Sequence, residues 1–142
     1  MKAIEQLVQD WRDRSMRARP GANEEVIRRV FAQLGVSVSS DVLALYQAVG
    51  GMDTPDFRDW RLWTLAEIAA QQNARSAAGV EFSDYLVGCW SFRVKPISAD
   101  ESEVFLDYGN AKAPVRVAPT LEQFLQELST DPLRVLDPQV RR

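Results

Sequence analysis

The N-terminal segment of the chain repeats apolar residues every three or four positions. The residues of this stripe are Ile4, Leu7, Val8 and Trp11. This period is typical of one face of a helix, and it predicts a helix over about residues 2–17. Pro20 and Gly21 follow and are expected to end that helix, since proline removes a backbone donor and glycine favours turns.

Two more stripes of the same period follow, and each begins behind a residue that can cap a helix. Asn23 is expected to cap the second helix through its side-chain oxygen, and Gly35 is expected to end it. Ser39 or Ser40 is expected to cap the third helix, which Gly50 ends. Three helices are therefore predicted before residue 51.

A short segment and a fourth helix come next. Trp60 and Leu62, with the flanking Arg61 and Trp63, predict a short strand. Thr64 and Glu67 have the spacing of a capping box, in which each side chain bonds the backbone amide of the other residue. A fourth helix is therefore predicted from Leu65 to about Asn73.

The period then changes from 3.6 to 2, which predicts strands. Residues 84–92 are apolar on both alternations, as expected of a central strand covered on both faces. Residues 102–108 alternate, and residues 115–118 form a further short strand. Pro96 lies between the first two segments and marks an edge or a bulge, because it cannot donate to a ladder.

A last helix closes the pattern, capped by Thr120 with Gln123. The order of elements predicts an α+β fold, with helices packed against a twisted antiparallel sheet in a single domain. Within it, residues 1–20 form an N-terminal helix and residues 21–130 form the body. Residues 131–142 are expected to be an extended tail. Its candidates for ordered contact are Leu133, Val135 and Leu136.

The composition indicates a globular protein without a nucleic-acid partner. The chain has 142 residues, of which 46% are hydrophobic and 26% are charged, and its formal charge is −3. These fractions are close to globular averages. A nucleic-acid binder needs a basic stripe to displace counterions from phosphates, and the negative net charge argues against one.

Cysteine content and hydropathy favour a cytoplasmic address. Cys89 is the only cysteine, so no internal disulfide is possible. On the predicted central strand, its thiol is interpreted as buried and inert. The first residues lack the apolar run of a signal peptide, and no run reaches the roughly 18–20 apolar residues that cross a bilayer. No membrane partner is expected.

The chemistry of most enzymes is missing from the sequence. The chain has no histidine, which is the usual general base near neutral pH and a common zinc ligand. No nucleophile elbow, phosphate loop or dinucleotide fingerprint occurs. Asp53, Asp56 and Asp59 lack the alternate spacing and terminal glutamate of a calcium loop, so they are interpreted as a solvated acidic loop. No metal or cofactor is expected.

The four tryptophans are assigned by their positions in the predicted elements. Trp11 lies on a helical stripe and Trp90 on a strand, so both are interpreted as core residues. Trp60 and Trp63 point to opposite faces of a short strand. Whether one of them is exposed for a partner stays open at this stage.

Several segments in this order resemble a known family. They are "NEEVIRRVFAQLG", "SSDVLALYQAVGG", "WRLWTLAEI", "DYLVGCWSF", "EVFLDY" and "TLEQFLQEL". Together they are similar to the SUKH superfamily, which includes fungal cell-wall assembly regulators and bacterial immunity proteins. The resemblance covers about residues 21–130. It implies a non-catalytic protein-binding domain, in bacteria commonly one that neutralises a partner toxin by covering its active site.

An immunity-type binding module is therefore the leading hypothesis for function. Acidic loops could steer it onto a basic toxin, and two aromatic residues could anchor the complex. The candidate partner-binding residues are Asp53, Asp56, Phe57, Asp59, Trp60, Asp100, Glu101 and Glu103. Two alternatives stay open: a regulatory or scaffolding domain unrelated to toxins, and a carboxylate-dependent hydrolase. The identity of the partner and the oligomeric state also stay open.

Overall fold

The computed structural model describes residues 1–71, 76–110 and 112–138. Within these residues the chain forms six helices and five strands. The helices are α1 (Lys2–Asp13), α2 (Glu24–Gln33), α3 (Ser40–Ala48), α4 (Leu65–Ala70), α5 (Leu121–Thr130) and α6 (Pro132–Leu136). The strands are β1 (Trp60–Leu62), β2 (Val80–Tyr85), β3 (Trp90–Pro96), β4 (Ser102–Asp107) and β5 (Val115–Ala118).

The five strands form one antiparallel sheet in the order β1-β2-β3-β4-β5. Every strand pairs with its neighbour in the chain, so the sheet is a meander. The register places Leu62, Ser83, Phe92 and Leu106 in one row across four strands, and therefore on one face. The predicted α+β fold, with helices packed on an antiparallel sheet, is confirmed.

The core lies between this face and the helices. Helix α5 packs against β4 and β5, and α1 packs on α5. Phe124 of α5 is fully buried and its ring contacts three aromatic rings of the sheet. The centroid distances are 6.2 Å to Trp60, 6.0 Å to Phe82 and 5.2 Å to Phe92. Burying aromatic rings of this size supplies much of the free energy that favours folding.

Three of the predicted caps are present. Asn23 Oδ1 accepts from the amide of Val26 at 2.9 Å, and Thr64 forms a capping box with Glu67. Thr120 Oγ1 accepts from the amide of Gln123 at 3.1 Å. The third helix differs, because neither Ser39 nor Ser40 caps it through its side chain.

Helix α3 is capped by the hairpin that joins β3 and β4. The carbonyl of Ala99 accepts from the amide of Ser40 at 2.9 Å, and the carbonyl of Asp100 accepts from Asp41 at 3.1 Å. These bonds satisfy amides that have no partner within the helix. A contact across about sixty residues has therefore replaced the local cap expected from the sequence.

The ends of two predicted helices are also corrected. Helix α1 ends at Asp13, four residues earlier than expected, because Ser15 adopts a left-handed conformation with φ 55°. The amide of Met16 then bonds the carbonyl of Trp11 at 2.8 Å, which closes the helix. Helix α4 ends at Ala70, and the predicted terminus at Asn73 lies outside the described residues.

Where the sequence predicts an extended tail, the structure has a further helix, α6. Pro132 occupies its first position, where a missing amide costs nothing. Val135 and Leu136 are buried in the core, as the sequence allowed, whereas Leu133 is exposed. The C-terminal segment therefore closes one side of the core.

The segment 84–92 is a hairpin, and the prediction of one continuous strand is wrong. Strand β2 ends at Tyr85, β3 begins at Trp90, and the four residues between them form the β2–β3 turn. As a result Cys89 is exposed, which corrects its assignment as a buried thiol. Pro96 ends β3, an inner strand of the sheet, so it marks a strand terminus and neither an edge nor a bulge. None of the helices in the described segments has both the length and the apolar character needed to cross a membrane.

Candidate functional site

Four of the eight candidate residues lie at opposite ends of the sheet. Asp59 and Trp60 lie beside the β2–β3 turn, because Trp60 pairs with Tyr85 at the end of β2. The β3–β4 hairpin, which carries Asp100 and Glu101, lies at the other end of β3. Seven strand residues at about 3.3 Å each separate the two ends by roughly 20 Å. We call them the turn end and the hairpin end.

Asp56 is a buried structural residue, which corrects its assignment to a solvated loop. Its side chain is 0% exposed. Asp56 Oδ2 accepts from Trp11 Nε1 at 3.0 Å and from Arg58 Nη1 at 2.8 Å, while Oδ1 accepts from the amide of Arg58 at 2.8 Å. Arg58 also pairs with Asp10 of α1. This cluster fastens α1 to the segment before β1.

Trp60 is fully buried, so it is not available as an aromatic anchor for a partner. Trp63, on the opposite face of the same segment, is partly buried, and its Nε1 donates to Asp84 Oδ2 at 2.7 Å. Trp11 is buried as predicted, whereas Trp90 is only partly buried.

Asp53 and Phe57 are exposed, but each already contacts arginine side chains of this chain. Asp53 pairs with Arg19 at 2.7 Å. Phe57 is 43% exposed, and the guanidinium groups of Arg14 and Arg58 lie over its ring at 3.8 and 4.2 Å from the centroid. Cation–π contacts of this kind hold a ring in place with modest energy.

The hairpin end presents acidic side chains on a well-fixed backbone. Asp100 and Glu101 are exposed, and Ser98 Oγ accepts from their amides at 3.2 and 3.1 Å. Asp100 Oδ1 accepts from Ser40 Oγ at 3.2 Å. Glu103 does not belong to this group, because its largely buried side chain faces Arg116 on β5 at 3.7 Å.

The six acidic candidates therefore fall into two groups, those with an ion pair and those without one. Asp53, Asp56 and Glu103 each pair with an arginine of this chain. Their charge is already compensated. The other three make no ion pair with any residue that the structure describes, and they are Asp59, Asp100 and Glu101. Uncompensated exposed charge is what attracts a partner over a distance.

The β2–β3 turn is an exposed apolar feature that the sequence analysis missed. Val87 is 83% exposed, Leu86 is 39% exposed, and both have left-handed backbones with φ 54° and 53°. The amide of Leu86 donates to the carbonyl of Asp59 at 3.0 Å, and Asp59 also has a positive φ of 62°. The sequence signal was Gly88, which follows these residues and favours a turn.

A second buried carboxylate, Asp41, ties the hairpin to α3. Asp41 Oδ1 accepts from Ser39 Oγ at 2.6 Å and from the amide of Val42 at 2.7 Å. Its Oδ2 accepts from the amide of Ser102 at 2.7 Å, and the hydroxyls of Ser39 and Ser102 also bond each other. Both carboxylate oxygens are therefore satisfied by groups of the chain itself.

The remaining partly buried carboxylates form ion pairs on the outer face of the sheet. Arg61 binds Glu67 through two bonds of 2.8 and 2.7 Å and reaches Asp84 at 3.2 Å. The hydrogen bond from Arg61 is the main reason that the pKa of Glu67 falls to about 2. Arg93 is buried and pairs with Asp107 at 2.9 Å. A carboxylate with so low a pKa is a weak base near neutral pH.

An apolar cavity of about 290 Å³ lies between α2, the start of α3 and the ends of β2 and β3. Phe31, Val42 and Val94 form part of its wall. The hydroxyls of Ser39 and Ser102 also border it, but they are already bonded to Asp41. Across the described segments, no three or more acidic or cysteine side chains cluster in a way that could hold a metal ion.

No protein-family model matches the chain, and no curated protein matches it. The two ends of the sheet, with the charges that they leave uncompensated, are the features of the chain that point to a function.

Proposed function

We propose that the chain is a non-catalytic protein-binding domain of the immunity type, which binds and neutralises a basic toxin in the cytoplasm. The resemblance of residues 21–130 to the SUKH superfamily supports this proposal. The arrangement of exposed charges supports the proposal independently of that resemblance. A partner that attacks nucleic acids would itself carry positive charge, and exposed acidic side chains would attract it.

One observation carries the proposal: Asp59, Asp100 and Glu101 are exposed and have no ion pair with the residues described. Exposed charges of opposite sign steer two proteins toward each other and raise their association rate, most strongly at low salt. The ion-paired candidates add little to that field. The proposal therefore depends on three carboxylates and not on the original eight residues.

The buried carboxylates support binding as the function and not proton transfer. Asp41 and Asp56 accept several hydrogen bonds each, and their donors join distant segments of the chain. A general acid or base needs a pKa near the working pH and a free path to substrate. The carboxylates buried here have a structural role that accounts for them without catalysis.

The experiment begins with capture of the partner. The tagged chain is cross-linked in its native cells, the co-purified protein is identified, and that protein is then produced and purified alone. Binding is measured by stopped-flow at several salt concentrations. Inhibition of the purified partner's toxic activity distinguishes an immunity protein from a regulatory or scaffolding domain.

Charge variants then test the mechanism. Asp59→Asn and Glu101→Gln should each slow association and reduce its salt dependence, since each removes one uncompensated charge. Asparagine tolerates the left-handed backbone at residue 59, so folding is preserved. Glu25→Gln is the matched control, because Glu25 is exposed but already paired with Arg29. Equal association rates for all three variants and the wild type would rule out steering by these charges.

A further inference from the structure

The turn end carries a group of exposed residues, which we call the turn surface: Asp59, Leu86, Val87 and Cys89. Val87 is the most exposed of the large hydrophobic residues that the structure describes, at 83%. Leu86 is next to it and Cys89 closes the turn through a bond from its amide to the Leu86 carbonyl at 3.3 Å. Adjacent exposed apolar side chains are more informative than scattered ones.

The backbone of this turn is strained in a way that its side chains do not explain. Leu86 and Val87 both adopt the left-handed region, which a β-branched residue such as Val87 rarely enters. A tight turn with positive φ at successive positions favours asparagine and glycine. The chain instead has two apolar residues there, next to Gly88. Strained residues of this kind cluster at binding and switch sites, which makes the turn a candidate for function.

A group of aromatic rings in mutual contact lies directly behind the turn. The ring of Trp90 contacts Tyr85 at 5.6 Å and Tyr108 at 5.4 Å between centroids. Tyr85 and Trp90 are the residues that flank the turn and pair across the hairpin. The turn is therefore presented on packed aromatic rings in tilted and edge-to-face contact, which limits the entropy that docking would cost.

A carboxylate lies beside the apolar residues. The backbone carbonyl of Asp59 accepts from the amide of Leu86, and the side chain of Asp59 is exposed at the turn. After burial and Asp137, Asp59 also raises the pKa of Tyr85, which flanks the turn. The apolar residues therefore have an acidic neighbour, as at the polar rim of an interface.

The hairpin end lacks this combination. Two exposed large apolar side chains lie near its acidic residues, Ile97 at 52% and Met1 at 39%, but they line different pockets and are not adjacent in the chain as Leu86 and Val87 are. The carbonyls of Ala99 and Asp100 are engaged in capping α3. The hairpin end thus supplies charge, whereas the turn end supplies both charge and two adjacent exposed apolar side chains, Leu86 and Val87.

We propose that the turn surface is the site where the chain docks its protein partner, and that the partner presents an apolar pocket rimmed by lysine or arginine side chains. Val87 and Leu86 enter that pocket, and Asp59 faces its basic rim. This inference rests on the proposed function and assigns the contact to one end of the sheet.

The test uses Val87→Asn in the full chain, with the purified partner obtained by capture. Asparagine removes the apolar contact and tolerates the left-handed backbone, so the melting temperature should stay the same or rise by a few degrees. Affinity should fall about tenfold or more, as for truncation of a central apolar contact. A merely structural role for Val87 would leave affinity unchanged.

Ile97→Asn is the matched control, because it removes a similarly exposed apolar side chain at the hairpin end. It should leave the dissociation constant within about twofold. If Ile97→Asn weakens binding and Val87→Asn does not, the turn surface is not the docking site although the proposed function stands. If no captured protein binds the purified wild-type chain, the proposed function and this inference both fail.

Discussion

Replacing Asp56 with alanine should destabilise the fold far more than the same change at Asp53. The carboxylate of Asp56 is completely buried, and it accepts bonds from Trp11, Arg58 and the backbone before β1. Removing one partner of a buried ion pair typically costs about 3–5 kcal/mol, because the other charge is left buried without compensation. Asp10 still pairs with Arg58 in the variant, so the lower end of that range, about 3 kcal/mol, is expected.

The effect is measured by urea unfolding, followed through tryptophan fluorescence. Trp11 donates directly to Asp56, so one reporter is located at the change. A loss of about 3 kcal/mol corresponds to a fall in melting temperature of about 10 °C for a chain of this size. Asp53→Ala removes the same charge from an exposed pair with Arg19 and should cost under about 1 kcal/mol. Similar losses for the two variants would refute the structural role of Asp56.

Three further predictions concern other parts of the chain. The pKa of Glu67 is lowered from 4.5 to about 2, so its stabilising contribution is present above pH 4.5 and is lost as the pH falls toward 2. Glu67→Gln should therefore make the urea midpoint less dependent on pH between 4.5 and 2, and a pH dependence equal to that of the wild type would contradict this. Exposed Cys89 should react with a thiol reagent in the native protein at a rate close to that of the unfolded chain, and protection until unfolding would mean that the thiol is buried. Gly79→Ala should destabilise by several kcal/mol, because its new Cβ would lie 2.0 Å from the Val94 carbonyl oxygen. Gly88→Ala meets no atom within 4 Å, so it should cost only the left-handed strain of about 1–2 kcal/mol, and urea midpoints that show equal losses would refute the packing argument.

Features that depend on local sequence could be predicted. The capping box at Thr64 and the cap at Asn23 depend on residues three positions apart, and both are present. Strands that are consecutive in the chain pair with each other, as consecutive strands commonly do, although α4 lies between β1 and β2. These signals fix the fold class without knowledge of distant contacts.

Features that depend on distant contacts could not be predicted. Asp56 has the same sequence context as its neighbours Asp53 and Asp59, but only Asp56 meets Trp11, forty-five positions away. The capping of α3 by the β3–β4 hairpin spans a similar distance. Spacing along the chain does not show which of three aspartates will be buried.

The β2–β3 turn was misread for a different reason. An exposed turn made of leucine and valine has the same apolar composition as a buried strand, so hydropathy alone does not separate the two. Gly88 was the only local sign of a turn. Residues that break the usual rule for turns are, by the same reasoning, candidates for function.

Hydrogen exchange on the complex shows which end of the sheet the partner covers. The purified chain is exchanged alone and with its purified partner at saturating concentration, and protection is followed peptide by peptide. If the partner docks on the turn surface, new protection appears at residues 85–90 and at Asp59, with little change at residues 97–101. Protection confined to the hairpin end, or none at residues 85–90, would contradict docking at the turn surface.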